Sequence, residues 1–191
     1  MTTPDHHLRA DARRNRDRLL TVAHAAFERD GVSATLDEIA RAADVGIGTL
    51  YRHFPTREDL IATLVADDLD RVAALADELA DAEADDVLER WLNELVDHTV
   101  SYRGLAEAVV AAVGDATRFG AACERLHTAG ARLVRREQQR GTVRHDVQPD
   151  DVIDLANSIA WVTQTAPDPS RSRRLLRISV DGLRPSLATI T

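Results

Sequence analysis

Five side chains within one seven-residue segment are of the types that bind nucleic acids: Ile47, Thr49, Tyr51, Arg52 and His53. Threonine and tyrosine hydroxyls can bind phosphates, isoleucine can contact thymine methyl groups, and arginine can donate two hydrogen bonds to guanine O6 and N7. An outward-facing isoleucine and tyrosine beside these polar groups would be unusual on an ordinary surface helix. The segment therefore predicts a surface that contacts DNA.

Two short helices joined by a tight turn would hold these side chains in place. Thr35 and Glu38 form a capping box that opens a helix over residues 36–43. A turn follows, in which we expect Gly46 to supply the small residue where the chain reverses, and a second helix covers residues 47–53. The apolar positions that would lock the two helices together are Ile39, Ala40, Val45, Leu50 and Phe54. The arrangement is a helix-turn-helix, whose second helix fits the major groove.

The rest of the chain is also predicted to be helical. A helix over residues 10–29 precedes the motif and is capped by Gly31, after a frayed tail over residues 1–8. Thr56 and Asp59 cap a long helix that follows the motif. Further helices are predicted over residues 86–101, 105–113, 117–140, 150–165 and 170–188. Because no segment alternates as a strand does, the predicted fold class is all-α.

The predicted fold divides into two domains that differ in charge. Residues 1–57 form a three-helix bundle with the helix-turn-helix, and residues 58–191 form a larger helical ligand-binding and dimerisation domain. The net charge of −8 would be unfavourable for DNA binding, but the first domain has 9 Arg against 8 Asp and Glu, and the second has 15 against 24. The acidity therefore lies in the second domain. Since the chain has no lysine, cationic phosphate contacts must come from arginine or protonated histidine.

Composition excludes several classes of protein. A hydrophobic content of 44% and a charged content of 29% exclude a disordered chain. No apolar run approaches the roughly 18 residues of a membrane span, and the N-terminus lacks the apolar core of a signal peptide. The single cysteine, Cys123, excludes an internal disulfide. We therefore expect a cytoplasmic protein that does not enter a membrane.

Residues 15–65 strongly resemble the DNA-binding domain of the TetR (tetracycline-repressor-like) family of bacterial regulators. The centre of the resemblance is the ordered run TLDEIARAADVGIGTLYRHFPTREDL over residues 35–60. The resemblance implies dimeric binding to a double-stranded DNA operator, usually repression, and release by a small molecule bound in the C-terminal domain. No cofactor is predicted.

The resemblance also implies roles for the residues that flank the second motif helix. Thr35 would place its hydroxyl or backbone N–H on a phosphate, and Arg57, where the family commonly has lysine, would also bind phosphate. Gly48 would allow the helix to approach DNA closely. Gly46 stands where the family usually has serine, so a hydroxyl that could cap the helix and contact DNA is lost.

Within the second motif helix the implied roles separate into two groups. Thr49, Tyr51 and His53 would hold the DNA backbone, whereas Ile47 and Arg52 occupy variable positions and would read bases. Tyr51 and His53 could instead pack against the long helix that follows. An arginine-rich segment near the N-terminus could reach a minor groove or could be a solvated helix start: Arg9, Arg13, Arg14, Arg16 and Arg18.

The last two predicted helices carry more apolar surface than one core stripe requires. The apolar residues of the first are Val152, Leu155, Ala156, Ile159, Ala160 and Val162, and those of the second are Leu175, Leu176, Ile178, Val180, Leu183 and Leu187. Two such helices from each subunit could form a four-helix homodimer interface, as the resemblance implies. Alternatively, both helices are buried within the monomer. The C-terminal half resembles the SbtR-like branch of the family through its alanine-rich central helix and its ending, residues 181–184.

Candidates for the effector site are the bulky or polarisable residues of the central helices: Trp91, Tyr102, Phe119, Cys123, His127 and Trp161. Each could equally be a core residue. Cys123 and His127 are spaced as a metal pair, but no third ligand is evident, so we predict no metal site. The acidic residues 77–86 are expected to be a solvated helix end and linker.

No catalytic machinery is evident in the sequence. It contains no nucleophile with a base and an orienting group, no glycine-rich phosphate loop and no metal quartet, so an enzyme is not predicted. An alternative to the ligand-controlled repressor is a regulator of the same fold whose C-terminal domain responds to a protein partner. A cavity too small to hold a metabolite would favour that alternative.

Overall fold

The computed structural model describes residues 4–102, 117–164 and 168–185, and these form eight α-helices and a short 3-10 helix. The elements are α1 (Pro4–Asp30), the 3-10 helix (Gly31–Ser33), α2 (Leu36–Ala42), α3 (Ile47–His53), α4 (Arg57–Ala80), α5 (Val87–Ser101), α6 (Thr117–Gln139), α7 (Pro149–Gln164) and α8 (Pro169–Leu183). The all-α prediction is confirmed. The helix predicted over residues 105–113 lies outside the described residues.

Prolines account for the two helix ends that the sequence analysis placed wrongly. α1 begins at Pro4, within the expected frayed tail, because the fixed φ of proline suits the first helical position. α8 ends at Leu183 and does not extend to residue 188. Arg184 takes an extended conformation with ψ of 146°, since Pro185 disfavours the helical region for the residue before it.

The chain forms two compact units, and their boundary falls inside α4. The first unit contains Met1–Val65 and Tyr102–Phe119, and the second contains Ala66–Ser101 and Gly120–Thr191. In the first unit α1, α2 and α3 pack against one another. Its core is formed by apolar side chains with at most 2% exposure: Leu19, Phe27, Ile39, Leu50, Phe54 and Leu60.

The second unit is organised around a buried tryptophan. Helices α5, α7 and α8 pack together, and Trp91 of α5 has no exposed surface. Its indole N–H donates a hydrogen bond of 3.0 Å to the Val72 carbonyl of α4, which satisfies the polar atom of an otherwise apolar side chain. Gly130 of α6 faces the ring, and a Cβ there would lie 2.4 Å from Trp91 Cη2. The tryptophan therefore fits only because position 130 lacks a side chain.

Replacing Gly130 with alanine is expected to lower the free energy of unfolding by about 1–3 kcal/mol, because the buried indole cannot move away without disturbing its neighbours. Urea denaturation would measure the change. Gly120→Ala is the matched control, since Gly120 lies in the same helix and has open space at its Cβ position. The control should raise stability by up to about 1 kcal/mol through helix propensity. Equal stabilities for the two variants would contradict this account of the core.

Arginines of α6 hold the linker between α4 and α5. Arg136 donates hydrogen bonds to the carbonyls of Leu79 and Ala82, and Arg140 donates to the Ala84 carbonyl at 3.1 Å. The acidic residues of the linker are exposed, as expected, whereas Asp77, which was predicted to be solvated with them, is half-buried beside Arg132. The linker backbone is tied to α6. Arg136 thereby places a cation at the negative end of the α4 dipole and binds the Leu79 carbonyl in its last turn.

Candidate nucleic-acid interface

The capping box that opens α2 is present. Thr35 Oγ1 accepts a hydrogen bond of 3.3 Å from Glu38 N–H, and Glu38 Oε2 accepts one of 3.4 Å from Thr35 N–H. The Thr35 hydroxyl also donates to Glu38 Oε2 at 2.8 Å. The second predicted cap is present as well, because Asp59 N–H donates to Thr56 Oγ1 at 3.1 Å and Thr56 N–H donates to Asp59 at 3.0 Å. Both helices begin where the sequence places them.

The chain reverses between α2 and α3 at Asp44, and the prediction that Gly46 supplies the reversal was wrong. Asp44 has a φ of +54°, a left-handed conformation that aspartate tolerates better than most residues. Gly46 is the N-cap of α3 with φ −68° and ψ 143°, a conformation open to any residue. Because glycine has no side chain, Gly46 provides no side-chain hydrogen bond to cap α3. This agrees with the prediction that a capping hydroxyl is missing at this position.

Arg18 of α1 holds this turn in place. Its guanidinium donates hydrogen bonds to the carbonyls of Ala43 and Asp44 and lies 3.4 Å from the Asp44 carboxylate. Arg18 is one of the arginines predicted to form either a minor-groove arm or a solvated helix start. In the structure its guanidinium holds the turn that precedes α3, because it satisfies carbonyls at the end of α2. Arg14 pairs with Asp11 in its own helix.

α3 has one buried side and one exposed side. Leu50 is fully buried beneath the helix. On the outer side Ile47 is 37% exposed and Tyr51 is 48% exposed, and Arg52 and Gly48 are exposed beside them. Tyr51 therefore presents much of its ring to solvent. The structure brings these four residues of the predicted DNA-binding set to one surface, together with Gly46.

The other predicted residues of α3 are half-buried. Thr49 accepts a hydrogen bond of 2.8 Å from Arg52 Nη2, and Arg52 Nε donates to the Gly48 carbonyl at 3.2 Å. The Arg52 guanidinium thus lies along its own helix. The His53 ring lies 6.3 Å from the Phe54 ring, so His53 borders the core with one side and solvent with the other.

Arg57 makes contacts that the sequence analysis missed. Its guanidinium donates a hydrogen bond to the Ala34 carbonyl and lies 5.1 Å from the centre of the Phe27 ring. Both contacts tie the start of α4 to the segment that precedes α2. No local sequence pattern signals them, because both partners lie more than 20 residues away in the chain. Arg16 similarly lies 5.7 Å from the Phe54 ring.

The structure does not bring together the candidate effector residues of the second unit. Trp91 is fully buried, whereas Trp161 is 70% exposed on α7. Cys123 is half-buried, and burial raises the pKa of its thiol. Its neighbour in the predicted metal pair, His127, has Nδ1 3.0 Å from Asp150 Oδ1. Within the described ranges no three histidine, cysteine, aspartate or glutamate side chains are placed to hold a metal.

The two remaining candidates belong to the first unit. Tyr102 is buried, and its ring makes an edge-to-face contact with His24 at 6.3 Å between ring centres. Phe119 is half-buried near the start of α6. None of the six candidates lines a groove or cavity of the second unit that the structure describes.

A groove of about 590 Å³ lies between α4 and α6 in the second unit. Its lining combines four alanines with charged pairs: Asp70, Ala73, Ala74, Asp77, Ala121, Glu124, Arg125, Thr128, Ala129 and Arg132. Arg125 binds Asp70 with two hydrogen bonds of 2.7 and 2.9 Å, and Arg132 lies 3.0 Å from Asp77. Sequence reasoning missed this groove because alanines and paired charges resemble an ordinary helix surface.

Two further cavities lie in the same unit. One is an open groove of about 500 Å³ between Leu75, α5 and α8. The other holds about 60 Å³ beside Glu137, a buried carboxylate that accepts a hydrogen bond of 2.7 Å from the Thr142 hydroxyl. Of the helices described, none is both long and apolar enough to cross a membrane.

The first unit combines three packed helices, a turn held by Arg18 and a helix whose exposed side carries both apolar and cationic residues. These features together define a helix-turn-helix DNA-binding protein. Family comparisons agree with this class. Residues 19–64 match the family model of bacterial regulatory proteins of the tetR family. Residues 83–185 match that of the C-terminal domain of SbtR-like transcriptional regulators.

Known proteins resemble the chain in both units. An HTH-type transcriptional regulator of Staphylococcus aureus is 41% identical over 64 residues, which is 33% of this chain and 35% of that protein, so the match spans about a third of the relative. The crystal structure of a TetR transcriptional regulator from Streptomyces coelicolor has 32% identity and a TM-score of 0.74, and covers 90% of this chain and 99% of its own. A TetR regulatory protein from Mycobacterium vanbaalenii has 34% identity and a TM-score of 0.69, with 93% and 99% covered.

The chain belongs to the TetR family of transcriptional regulators and has an SbtR-like C-terminal domain. It is therefore a DNA-binding regulator from a family that is not enzymatic.

Proposed function

We propose that this chain is a homodimeric repressor that binds a pseudo-palindromic operator through α3 and leaves it when a small molecule binds the second unit. The observation that carries the proposal is the outer side of α3. It exposes Ile47, Tyr51 and Arg52 on a helix whose other side is fixed by the buried Leu50. Such a helix can enter a major groove without rearrangement of its core.

In this proposal some residues around α3 contact DNA bases and the others contact the DNA backbone. Ile47 and Arg52 read base edges, which requires Arg52 to leave its contacts with α3. Backbone phosphates are met by Thr35, Thr49, Tyr51, His53 and Arg57. Gly46 and Gly48 have open space at their Cβ positions, so the backbone there can lie close to DNA.

The proposed dimer uses α7 and α8. Among the described residues, the large hydrophobic side chains that remain exposed lie on α3 or on these two helices. Trp161 is 70% exposed, Ile178 is 63% exposed and Val162 is 39% exposed. Large apolar surface on a monomer generally marks an interaction site. A second copy that covers it would form the four-helix interface of a two-fold dimer.

We place the effector in the groove between α4 and α6. At about 590 Å³ the groove has the size of small-molecule sites. RolR, a protein of the same fold with 22% identity and a TM-score of 0.57, has a crystal structure in complex with resorcinol. α4 is one continuous helix from Arg57 to Ala80. A ligand that displaces the turns of α4 that line the groove would therefore also displace the first turns of α4, which contain Arg57.

A second candidate is control by a protein partner. It is favoured by the form of the described cavities, because the two large ones are open grooves and the small one holds about 60 Å³. A partner helix suits an open groove better than a metabolite does. Release of DNA by a small metabolite alone, with purified protein, would exclude this candidate.

The base-reading role of Arg52 gives the direct test of the proposed function. Arg52→Ala should lose about 1–3 kcal/mol of binding free energy at its preferred operator and much less on random duplex, because a base contact carries sequence preference. Fluorescence anisotropy at several salt concentrations would measure both. Arg135→Ala, at an exposed position of α6 in the second unit, is the control for loss of a positive charge. An equal loss on operator and random DNA would show that Arg52 does not read bases.

A further inference from the structure

The groove of about 500 Å³ in the second unit has a lining rich in arginine. It lies between α5 and α8, beside one leucine of α4, and shares no lining residue with the groove between α4 and α6. Its volume is typical of small-molecule sites. The residues that line it are Leu75, Glu89, Arg90, Asn93, Glu94, Arg173 and Arg177. We call it the arginine groove.

Two packed helices supply the three arginines. Arg173 and Arg177 are four residues apart in α8, so their side chains share one face of that helix. Arg90 comes from α5, which packs against α8. All three residues are exposed. Three guanidinium groups therefore border one cavity from two sides.

These arginines have no carboxylate partner within residues 4–102, 117–164 and 168–185. Partners are not scarce, because residues 58–191 contain 24 Asp and Glu against 15 Arg. Arg90 and Glu94 even have the spacing at which opposite charges on a helix commonly pair. By contrast, Arg125 and Arg132 of the other large groove are both ion-paired. The arginine groove thus keeps its positive charges available to another molecule.

The free groove places like charges together. Arg173 and Arg177 repel each other at a spacing of four residues in a helix, which lowers the stability of α8. An anion between them would turn this repulsion into attraction. A phosphate group suits three arginines well, since it carries up to two negative charges and three terminal oxygens. Guanidinium groups bind such oxygens with parallel, charge-assisted hydrogen bonds.

The other polar side chains of the groove select what is attached to the phosphate. Glu89 and Glu94 are half-buried in the same lining, and they would repel a second anionic group, which disfavours a dicarboxylate. Their oxygens can instead accept hydrogen bonds from hydroxyl groups. Asn93 Nδ2 donates to the Glu89 backbone carbonyl at 2.8 Å, so its Oδ1 adds a further acceptor. The lining therefore matches a ligand with one phosphate and several hydroxyls.

We propose that the arginine groove binds a small phosphate monoester that carries hydroxyl groups, of the chemical class of the sugar phosphates. Arg90, Arg173 and Arg177 hold the phosphate, and Glu89 and Glu94 accept hydrogen bonds from the hydroxyls. This site is separate from the groove in which the effector is placed, and it does not depend on the proposed repressor function.

Isothermal titration of the full-length protein with ribose 5-phosphate, inorganic phosphate and ribose tests the site. Ribose 5-phosphate should bind about tenfold or more tightly than inorganic phosphate, because only the ester reaches both the arginines and the glutamates. Ribose alone should not bind measurably. R173Q/R177Q should weaken the binding of both phosphate compounds by about tenfold or more. Both residues are exposed, so the variant should fold, and circular dichroism would verify this.

R171Q/R174Q is the matched control, because it removes the same charge from the same helix at positions outside the groove lining. It should bind ribose 5-phosphate as the wild type does. Equal losses in the two double variants, or no binding of ribose 5-phosphate by the wild type, would overturn the site.

Glu94→Ala tests the part of the ligand beyond the phosphate. It removes a hydroxyl acceptor and a negative charge, so it should lower the preference for ribose 5-phosphate over inorganic phosphate by about fivefold. Inorganic phosphate itself should bind at least as tightly as to the wild type. Equal wild-type affinities for the two phosphate compounds, or an unchanged preference in Glu94→Ala, would overturn the assignment of a hydroxylated ester.

Discussion

Gly48→Gln is expected to bind operator DNA about 100-fold or more weakly than the wild type while folding at least as stably. Gly48 lies on the exposed side of α3 with nothing within 4 Å of its Cβ position, so glutamine fits the free protein. Helix propensity should raise the free energy of unfolding by about 0.5 kcal/mol. If α3 lies in the major groove, however, the added side chain separates the helix from DNA, and several base and phosphate contacts of about 1–3 kcal/mol each are lost.

Gly48→Ala is the graded control for this variant. A single methyl group gives a similar gain in helix propensity with far less bulk, so its loss of DNA affinity should be much smaller. Anisotropy titrations with operator duplex, together with urea denaturation, would separate binding from stability. Unchanged operator affinity in Gly48→Gln would mean that this side of α3 does not face DNA.

Ile178→Glu is expected to convert the protein to a monomer and to reduce operator affinity by about 100- to 10,000-fold. A carboxylate at position 178, on the exposed side of α8 that the proposed dimer covers, would be buried without a partner in the dimer. A monomer then meets only one half-site and loses the gain from linked binding. The monomer itself should remain folded, because Ile178 is exposed within the chain.

Arg177→Glu, one residue away on the flank of α8, is the control and should remain dimeric. Sedimentation velocity would give the assembly state of both variants. Tryptophan fluorescence gives a second measurement, since Trp161 is exposed on α7 at the proposed dimer interface and Trp91 is buried. In a Trp91→Phe background, Trp161 emission should shift to longer wavelength when Ile178→Glu exposes it to water. A dimeric Ile178→Glu with normal DNA affinity would contradict the proposed interface.

The starts of α2 and α4 could be predicted because they are fixed by chemistry within four residues. Thr35 with Glu38 and Thr56 with Asp59 satisfy backbone groups that any helix start leaves free. The turn between α2 and α3 was less predictable. Both Asp44 and Gly46 can take unusual conformations, and only the packing of the two helices selects Asp44.

Contacts between distant parts of the chain could not be predicted from one sequence. Arg18 and Arg57 were predicted to belong to a cationic surface. In the structure their guanidinium groups bind backbone carbonyls 25 and 23 residues away in the chain. The two tryptophans show the same limit. Residue type made both Trp91 and Trp161 candidates for an effector site, but one lies in the core and the other on the surface. Which face of a helix is covered depends on its neighbours and not on the residue.

The arginine contacts with backbone carbonyls have a consequence for how the helix junctions respond to solution conditions. Arg18, Arg57, Arg136 and Arg140 each join a helix to the end of another element. A guanidinium group donates charge-assisted hydrogen bonds from a planar set of N–H groups. The competitor for these carbonyls is therefore a solute of the same chemistry: guanidinium ions can occupy the same carbonyls, whereas urea offers them only neutral donors.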